Sequence, residues 1–324
     1  MHCNPTISVI LPVYNGTDTI RATVNSVLGQ SFTDFELLII NDGSTDDTLN
    51  ILNAFADQRI RILSYANEGL ASSRNRGITQ ARGGFISFID ADDLWATSKL
   101  ASQYRVLEAA ADADVAYSWT DFIDEEDHLL RGSVHHSSQG HVLPQLLKEN
   151  FIASGSNVLV RAQLFKKVGL FDTALKAAED WDMWLRMAAE ARFVCDPQPQ
   201  IYYRLRNSSM SADIEPMLSS QKVVAQRAIA GDPARLEKLK RPSYGNIYAW
   251  LAYRSVTVFP SAKKIRQPPG NGWLGLRFLA LSLWFDPSVL KKPSYVLAIL
   301  YRSLLLLLGL STKAPRRPGA PKAG

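Results

Sequence analysis

The N-terminal part of the chain alternates short apolar runs with segments of helical periodicity. Strands are predicted at four apolar runs, Ile7–Leu11, Phe35–Ile40, Arg59–Ser64 and Phe85–Ile89. Because apolar residues follow one another in these runs without alternation, the strands are expected to be covered on both faces. Helices are predicted between them, ending near Leu28, beginning at Ser44 or Thr45, and covering Gly69–Ala81. This order predicts an α/β fold with a mostly parallel open sheet flanked by helices.

Polar residues follow three of the predicted strands. Tyr14 follows the first strand, Asp42 the second, and the D-x-D triplet Asp90, Asp92 and Asp93 the fourth. Ligands of parallel sheets bind at the carboxyl ends of the strands. Clustered carboxylates repel one another, and a Mg²⁺ or Mn²⁺ ion carrying a nucleotide diphosphate would relieve that repulsion. A solvated turn with Asp93 as the cap of the next helix is the structural alternative.

The middle of the chain continues with shorter elements. We predict a strand at Val115–Trp119, an acidic hairpin or loop over Asp121–Leu130, helices at Arg161–Val168 and Trp181–Ala191, and a strand at Ile201–Arg204. Acidic pairs open two predicted helices, Asp46–Asp47 and Glu179–Asp180, and the helix dipole alone would stabilise both pairs. Trp184 is expected in the core. The histidines at positions 135, 136 and 141 lack zinc-ligand spacing and favour a loop.

Composition and charge narrow the class of protein. The chain has 324 residues, of which 46% are hydrophobic, enough for one large domain or two. Cys3 and Cys195 provide neither a disulfide framework nor zinc spacing, and no signal-peptide pattern precedes Pro12, so a cytoplasmic location is expected. The net charge of +5 is uneven, because Lys and Arg concentrate after about Lys222. This asymmetry favours a membrane surface as partner over a nucleic acid, since basic residues interleaved with aromatic ones are lacking.

The C-terminal third changes to a helical pattern. Helices are predicted at Ile214–Ile229 and Arg235–Tyr253, a break at Pro268–Gly272, and two apolar stretches at Trp273–Phe285 and Tyr295–Leu310. Both stretches are shorter than the roughly 20 residues that span a bilayer. Flanking Trp, Tyr, Lys and Arg suit peripheral attachment to the inner face of the plasma membrane. A helical subdomain packed on the rest of the chain is the alternative. The predicted division is 1–212 and 213–324, with a basic, disordered tail over 311–324.

Six motifs in one order carry a family resemblance. They are PVYNG (12–16), NDGS (41–44), NEGLASSRNRGI (67–78), DADD (90–93), AEDWDMWLR (178–186) and YYRLRNSSMS (202–211). Together they resemble the family-2 inverting glycosyltransferases of GT-A fold, within the nucleotide-diphospho-sugar transferase superfamily. The resemblance covers residues 5–212 and departs mildly at Asn41, where the family often has Asp. The first half of the sheet has no Gly-rich phosphate fingerprint, because NDGS is not G-x-G-x-x-G, and G-x-x-x-x-G-K-[ST] occurs nowhere in the chain. Both observations disfavour dinucleotide dehydrogenases and P-loop NTPases.

The resemblance implies a donor half over 1–95 and an acceptor half over 96–212. In the donor half it implies a nucleobase pocket and contacts to ribose, phosphates and metal. The implied donor residues are Pro12, Val13, Tyr14, Asp42, Arg74, Asp90, Ala91, Arg204 and Arg206. Asp42 would accept a hydrogen bond from the base, Asp90 would contact the ribose, and Asp92 would bind Mn²⁺ or Mg²⁺, with Asp93 as a further ligand candidate. Arg76 is equally compatible with a plain surface position.

In the acceptor half the resemblance implies a general base at Asp180, with Glu179 as the second candidate. Ser154, Gly155 and Trp181 would shape the acceptor pocket. The implied activity is metal-dependent, inverting transfer of a sugar from a nucleotide-diphosphate donor, expected to be a UDP-sugar. The acceptor would be a hydroxyl of a glycan or lipid-linked molecule in cell-surface polysaccharide synthesis.

Two other functions are compatible with strand-end carboxylates. A nucleotidyltransferase would need a Gly-rich loop bearing Lys or Arg near the N-terminus, and PVYNG is not such a loop. A non-catalytic scaffold that binds sugar nucleotides would not need both Asp92 and Asp180. The sequence therefore favours the transferase.

Overall fold

The computed structural model describes residues 4–130, 133–206, 213–257 and 271–310. The strands in this part of the chain are β1 (Ile7–Val13), β2 (Phe35–Asn41), β3 (Ile60–Ser64), β4 (Phe85–Phe88), β5 (Leu94–Trp95), β6 (Val115–Ile123), β7 (Leu159–Arg161) and β8 (Phe193–Arg204). The helices are α1 (Ile20–Leu28), α2 (Thr48–Asn53), α3 (Leu70–Gln80), α4 (Lys99–Ala109), α5 (Leu143–Lys148), α6 (Phe165–Val168), α7 (Glu179–Glu190), α8 (Ile214–Gly231), α9 (Pro233–Leu236), α10 (Lys240–Val256), α11 (Gly272–Phe285) and α12 (Pro293–Leu307). Short 3-10 helices lie at Ala162–Leu164, Glu237–Leu239 and Pro287–Lys291.

These strands form one sheet in the order β3-β2-β1-β4-β7-β6-β8-β5. β1 pairs in parallel with β2 and β4, and β2 pairs in parallel with β3. β6 and β8 are also parallel, whereas β7 runs antiparallel to both of its neighbours. The prediction of a mostly parallel sheet flanked by helices is confirmed. Because β2, β1 and β4 are parallel neighbours, their carboxyl ends lie side by side at one edge of the sheet.

Both faces of the sheet are buried, which explains the uninterrupted apolar runs. Along β1, Val9 and Leu11 pack in one core with α1, while Ile10 packs in the core on the opposite face. The second core contains Trp184 of α7, whose ring centroid lies 6.4 Å from that of Phe88. Trp184 is therefore a core residue, as predicted.

The second helix begins later than its sequence predicts. It starts at Thr48, so Asp46 and Asp47 precede it instead of lying in its first turn. The Asp46 carboxylate accepts hydrogen bonds from the backbone N–H groups of Thr17 at 3.2 Å and Thr48 at 3.1 Å. These bonds hold residues 44–47 as a loop against the loop that follows β1.

Two strands in the second half are longer than predicted. β6 continues to Ile123, which pairs antiparallel with Leu129, so the hairpin alternative for the acidic segment is confirmed. β8 begins at Phe193 instead of Ile201. Its N-terminal part contains Pro197 and Pro199, residues that ordinarily argue against a strand. The register between β6 and β8 shifts around Trp119, and this irregularity accommodates the prolines.

The C-terminal helices share a core with one face of the sheet. Buried residues of α8 and α10, such as Val224 and Leu251, belong to the same hydrophobic cluster as Trp184 of α7. The predicted helix over Arg235–Tyr253 is divided into α9, a 3-10 turn and α10. Within the described ranges, none of the helices is long and apolar enough to cross a membrane. The start of the predicted break at Pro268 and the predicted tail at 311–324 lie outside the described residues.

Candidate donor and catalytic site

The loops after β1 and β2 form one continuous rim at the carboxyl edge of the sheet. The backbone N–H of Asn15 donates to the Ser44 hydroxyl at 3.0 Å, and the Asn15 side chain accepts from the N–H of Thr45 at 2.8 Å. Tyr14 beside them is 53% exposed. Its ring is therefore open to stacking by a planar group such as a nucleobase. Pro12 and Val13, which were expected to line the same pocket, are buried strand residues instead, and Val13 packs in the α1-side core.

Asp42 is almost fully buried at the end of β2. Its carboxylate accepts hydrogen bonds from the backbone N–H groups of Glu68 at 3.1 Å and Gly69 at 2.8 Å. It also accepts from Arg76 Nη1 at 3.0 Å, and Arg76 Nη2 pairs with Glu68. Asp42 therefore fixes the turn before α3. Arg76 is not a plain surface residue, because it supports that turn from the outer side.

Arg74 of α3 is almost completely buried. Its guanidinium donates from Nη2 to Asp90 Oδ1 at 2.6 Å and from Nη1 to Glu179 Oε1 at 2.7 Å. The Arg74 side chain is only 2% exposed. The expected bond from Arg74 to base or phosphate is therefore replaced by a link between the end of β4 and the start of α7. Such paired, charge-assisted bonds fix the relative position of the two elements.

Gly155 makes room for this link. A Cβ atom at position 155 would lie 2.3 Å from Arg74 Nη2 and 3.1 Å from Asp90 Oδ2. Of the three acceptor candidates, Gly155 is thus the one whose backbone lies against the donor carboxylates.

We expect Gly155→Ala to lower the free energy of unfolding by about 1–3 kcal/mol, because the buried Arg74 pair must shift to avoid the new methyl group. Urea denaturation measures the change. Gly84→Ala is the matched control, since its Cβ would meet only Thr6 O at 4.0 Å. An equal loss in both variants would mean that the contact with Arg74 is not the cause.

The turn after β4 separates the three aspartates into different environments. The Ala91 carbonyl accepts from the hydroxyls of Thr19 at 2.8 Å and Thr23 at 3.0 Å, which holds the turn on α1. Asp92 is half-buried, and its pKa is raised to about 6 by burial and by the charge of Asp90. A divalent cation would remove this repulsion, so the donor set fits Mg²⁺ or Mn²⁺.

Asp93 points into the protein and does not cap a helix. Its fully buried carboxylate accepts from the Ser156 hydroxyl at 2.5 Å, the Ser154 hydroxyl at 3.2 Å and the Arg204 N–H at 3.0 Å. The next helix, α4, begins only at Lys99. Burial and the charges of Asp92 and Asp90 raise the pKa of Asp93 well above its usual range. Asp93 therefore holds the D-x-D turn against the loop that contains Ser154.

The two arginines after β8 differ in orientation. Arg204 is buried, donates from Nε to Asp92 O at 2.7 Å and pairs with Asp127. In this arrangement Arg204 holds the D-x-D turn against the hairpin after β6. Arg206 keeps a partly exposed side chain, with Asp18 and Glu125 carboxylates at 3.8 Å and 3.9 Å. The rest of the predicted loop, from Asn207 to Ser211, lies outside the described residues.

The Glu179–Asp180 pair opens α7, as predicted, after Ala178 in the left-handed region at φ 57°. The Glu179 carboxylate is buried against Arg74 and is thereby unavailable as a base. Asp180 accepts a hydrogen bond from the Trp181 N–H at 2.7 Å. Burial and the neighbouring Glu179 raise the pKa of Asp180 to about 7, although the Arg74 charge opposes the rise. A carboxylate with such a pKa can accept a proton near neutral pH.

Two acceptor candidates are structural. Trp181 is buried, and its indole Nε1 donates to Leu146 O at 3.0 Å. The Trp181 ring is therefore packed in the core. The Ser154 hydroxyl is likewise occupied by Asp93.

Comparison with known proteins gives the family. The family model described as "Glycosyltransferase like family 2" matches residues 8–230, which is well over half of the chain. The chain belongs to glycosyltransferase family 2. The resemblance carried by the six motifs is therefore confirmed.

Two relatives in this family match nearly two thirds of the chain. An uncharacterized glycosyltransferase of Rickettsia typhi is 30% identical over 209 residues, 63% of this chain and 65% of that protein. WfaP of Escherichia coli, a UDP-Glc:alpha-D-GlcNAc-diphosphoundecaprenol beta-1,3-glucosyltransferase, is 33% identical over 210 residues, 64% of this chain and 80% of that protein. The chain thus spans less than two thirds of the Rickettsia typhi relative, and 36% of one from Rickettsia felis.

Solved structures show the same GT-A fold. TarS 1-349 of S. aureus in complex with UDP-GlcNAc aligns with a TM-score of 0.64 at 19% identity, over 98% of this chain and 99% of that chain. The mannosyltransferase PcManGT from Pyrobaculum calidifontis, in complex with GDP-Man and Mn²⁺, aligns with a TM-score of 0.55 at 16% identity, over 94% and 88%. At these identities the likeness establishes the fold alone.

The hairpin after β6 holds a group of side chains that the sequence reasoning did not single out. Ligand atoms of Asp124, Glu126 and His128 lie within 4.8 Å of one another. The Asp124 carboxylate accepts the N–H groups of Glu126 at 3.0 Å and His128 at 2.9 Å, so the turn itself accounts for the cluster. The alternating D-x-E-x-H spacing would have been the signal for it.

Proposed function

We propose that this chain is an inverting glycosyltransferase that depends on a divalent metal and moves a sugar from a UDP-sugar to a hydroxyl of a glycan or lipid-linked acceptor. One observation carries the proposal. A buried arginine, Arg74, joins the carboxylate at the end of β4 to the first residue of α7. The donor turn and the candidate base are thereby held in one rigid unit, which positioning for in-line attack requires.

Asp180 is the proposed general base. Inversion requires that the acceptor hydroxyl attack the sugar from the face opposite the leaving diphosphate. Asp180 would take the proton of that hydroxyl, and its raised pKa suits the task at neutral pH. Glu179 would act through Arg74, by holding the start of α7 in place.

Asp92 is the proposed metal ligand, for Mn²⁺ or Mg²⁺. When bound, such an ion would neutralise the charge that develops on the leaving diphosphate. Arg204 would keep the Asp92 backbone in place through its bond to the carbonyl oxygen. Arg206 remains the proposed phosphate contact of this chain.

The donor and acceptor classes rest on the relatives. WfaP and WfgD are both described as enzymes that use UDP-Glc and a diphosphoundecaprenol-linked acceptor. A comparable role here would lie in cell-surface polysaccharide synthesis on the cytoplasmic side of the membrane. On the donor side, Tyr14 would stack on the base, and Asp42 would hold the turn before α3 beside it.

Donor binding tests the proposal. We expect UDP and UDP-sugars to raise the melting temperature and to bind in calorimetry, with tighter binding when Mn²⁺ is present. Product analysis by NMR would then give an anomer opposite to that of the donor. Failure of every uridine, guanosine and thymidine diphosphate compound to bind, with and without the cation, would refute the proposed activity.

A further inference from the structure

The outer sides of α11 and α12 expose large apolar side chains. Their outer face is formed by Trp273, Trp284, Leu297, Tyr301, Leu304 and Leu308, which are 55–71% exposed. On α12 the exposed apolar residues recur at helical spacing and lie on one side, and on α11 the two tryptophans share a side with exposed Arg277 and Ala280. Single exposed leucines are ordinary, but six large apolar side chains exposed on two adjacent helices mark an interaction surface.

The inner sides of α11 and α12 are already packed against the rest of the protein. Gly275 of α11 touches α10 and α12 so closely that a Cβ would lie 2.2 Å from Val256 and 2.9 Å from the Ser303 hydroxyl. Phe278 and Ile299 are buried in the shared core. The apolar outer face is therefore additional to what the fold needs.

The charges around this face are nearly all positive. Residues 271–310 contain four basic side chains and one acidic side chain, Asp286, whose carboxylate caps the N–H of Ser288 at 3.0 Å. Lys291 and Lys292 are exposed at the start of α12. By sequence, residues 311–324 add four basic residues and no acidic one. A surface of this charge complements anionic lipid headgroups.

The face and Arg206 lie toward the same end of the helical region. At the C-terminal end of α10, Arg254 Nη2 donates to Arg206 O at 2.9 Å. The same end of α10 contacts α11 through Val256, and Arg302 of α12 donates to Thr257 at 2.6 Å. Trp273, at the start of α11, and Leu304, in the last turn of α12, therefore lie at the end of the helical region that is nearest to Arg206.

We infer that the outer face of α11 and α12 docks on an anionic lipid bilayer, with the helices lying in the headgroup region. This deepens and rests on the proposed transfer to a lipid-linked acceptor, because docking here brings the bilayer surface to the donor side of the enzyme. Helices of 14 and 15 residues are only about 21–23 Å long, which suits the interface.

Vesicle flotation of the full chain tests the inference. We expect binding to vesicles of equimolar phosphatidylcholine and phosphatidylglycerol, weakened by salt, and much weaker binding to phosphatidylcholine alone. Trp273→Gln combined with Leu304→Gln should lower the partition coefficient more than about tenfold. Leu170→Gln combined with Val223→Gln is the matched control, because both residues are exposed and lie off the face.

The charge contribution has its own pair of variants. Lys291→Gln combined with Lys292→Gln should weaken binding roughly 25-fold, about fivefold per lysine. The control is Lys166→Gln combined with Lys167→Gln, an exposed lysine pair elsewhere on the surface. Circular dichroism melting verifies that every variant is folded.

Three outcomes separate the hypotheses. Equal vesicle binding by the face variant and the wild type would overturn the inference. A lipid-free dimer in analytical ultracentrifugation that the face variant dissociates, without vesicle binding, would assign the face to a second copy instead. UDP binding with Mn²⁺ should be the same in wild type and face variant, so its absence in both would refute the proposed activity and leave vesicle binding as a separate result.

Discussion

Asp180→Asn is expected to lower kcat for sugar transfer by about 10²–10⁴-fold, the usual contribution of a general base. Asparagine keeps the size of the side chain and can still accept the hydrogen bond from the Trp181 N–H. It cannot take a proton from the acceptor hydroxyl. UDP binding in the presence of Mn²⁺, measured by calorimetry, should remain within about twofold of the wild type, because Asp180 would contact the acceptor and not the nucleotide.

The pH profile distinguishes Asp180 from its neighbour. Asp180 must be ionised to act, so with a pKa of about 7 the value of kcat/KM should fall as the pH drops below about 7. Glu179→Gln removes a negative charge beside Asp180 and leaves Arg74 nearby. Both effects lower the pKa of Asp180, and the acid limb should move to lower pH. An unmoved limb, or a larger loss of kcat in Glu179→Gln than in Asp180→Asn, would reverse the two roles.

The sheet could be predicted from sequence because its strands are buried on both faces. Their apolar runs are long and end at turn residues, as in Phe35–Asn41 before Asp42. The parts that could not be predicted have weak local patterns. β7 has only three residues, and β8 contains two prolines, so their pairing depends on the neighbouring strands more than on their own sequence. Whether a strand forms there is decided by tertiary contacts, and the periodicity of the sequence carries no information about those contacts.

The edge of the site was predictable, but the direction of its side chains was not. Sequence placed carboxylates at strand ends, and the topology brings Asp42 and Asp90 to one rim. Arg204 and Arg206 stand two residues apart in one motif, yet Arg204 turns inward to Asp92 O and Asp127 whereas Arg206 stays partly exposed. Residue type gives the chemistry that a position can perform. Burial decides whether a ligand can reach it, and burial is set by residues far away in the chain.

Asp92→Asn is expected to lower metal-dependent transfer by about 10²–10⁴-fold, since a bound cation contributes several kcal/mol of charge stabilisation at the diphosphate. Asparagine preserves the shape of the turn, and Arg204 can still donate to the residue 92 carbonyl. The loss should therefore come from the carboxylate itself and not from unfolding of the turn.

The decisive readout for Asp92 is donor binding and not rate alone. In calorimetry the tightening of UDP binding by Mn²⁺ should disappear in Asp92→Asn and persist in Asp180→Asn, because only Asp92 would share the cation with the diphosphate. Asp112→Asn is the control, because the exposed Asp112 carboxylate pairs with Arg192 just before the start of β6, away from the D-x-D turn. Equal loss of Mn²⁺-dependent binding in the Asp92 and Asp180 variants would contradict the division of roles, since a base on the acceptor side has no reason to hold the metal.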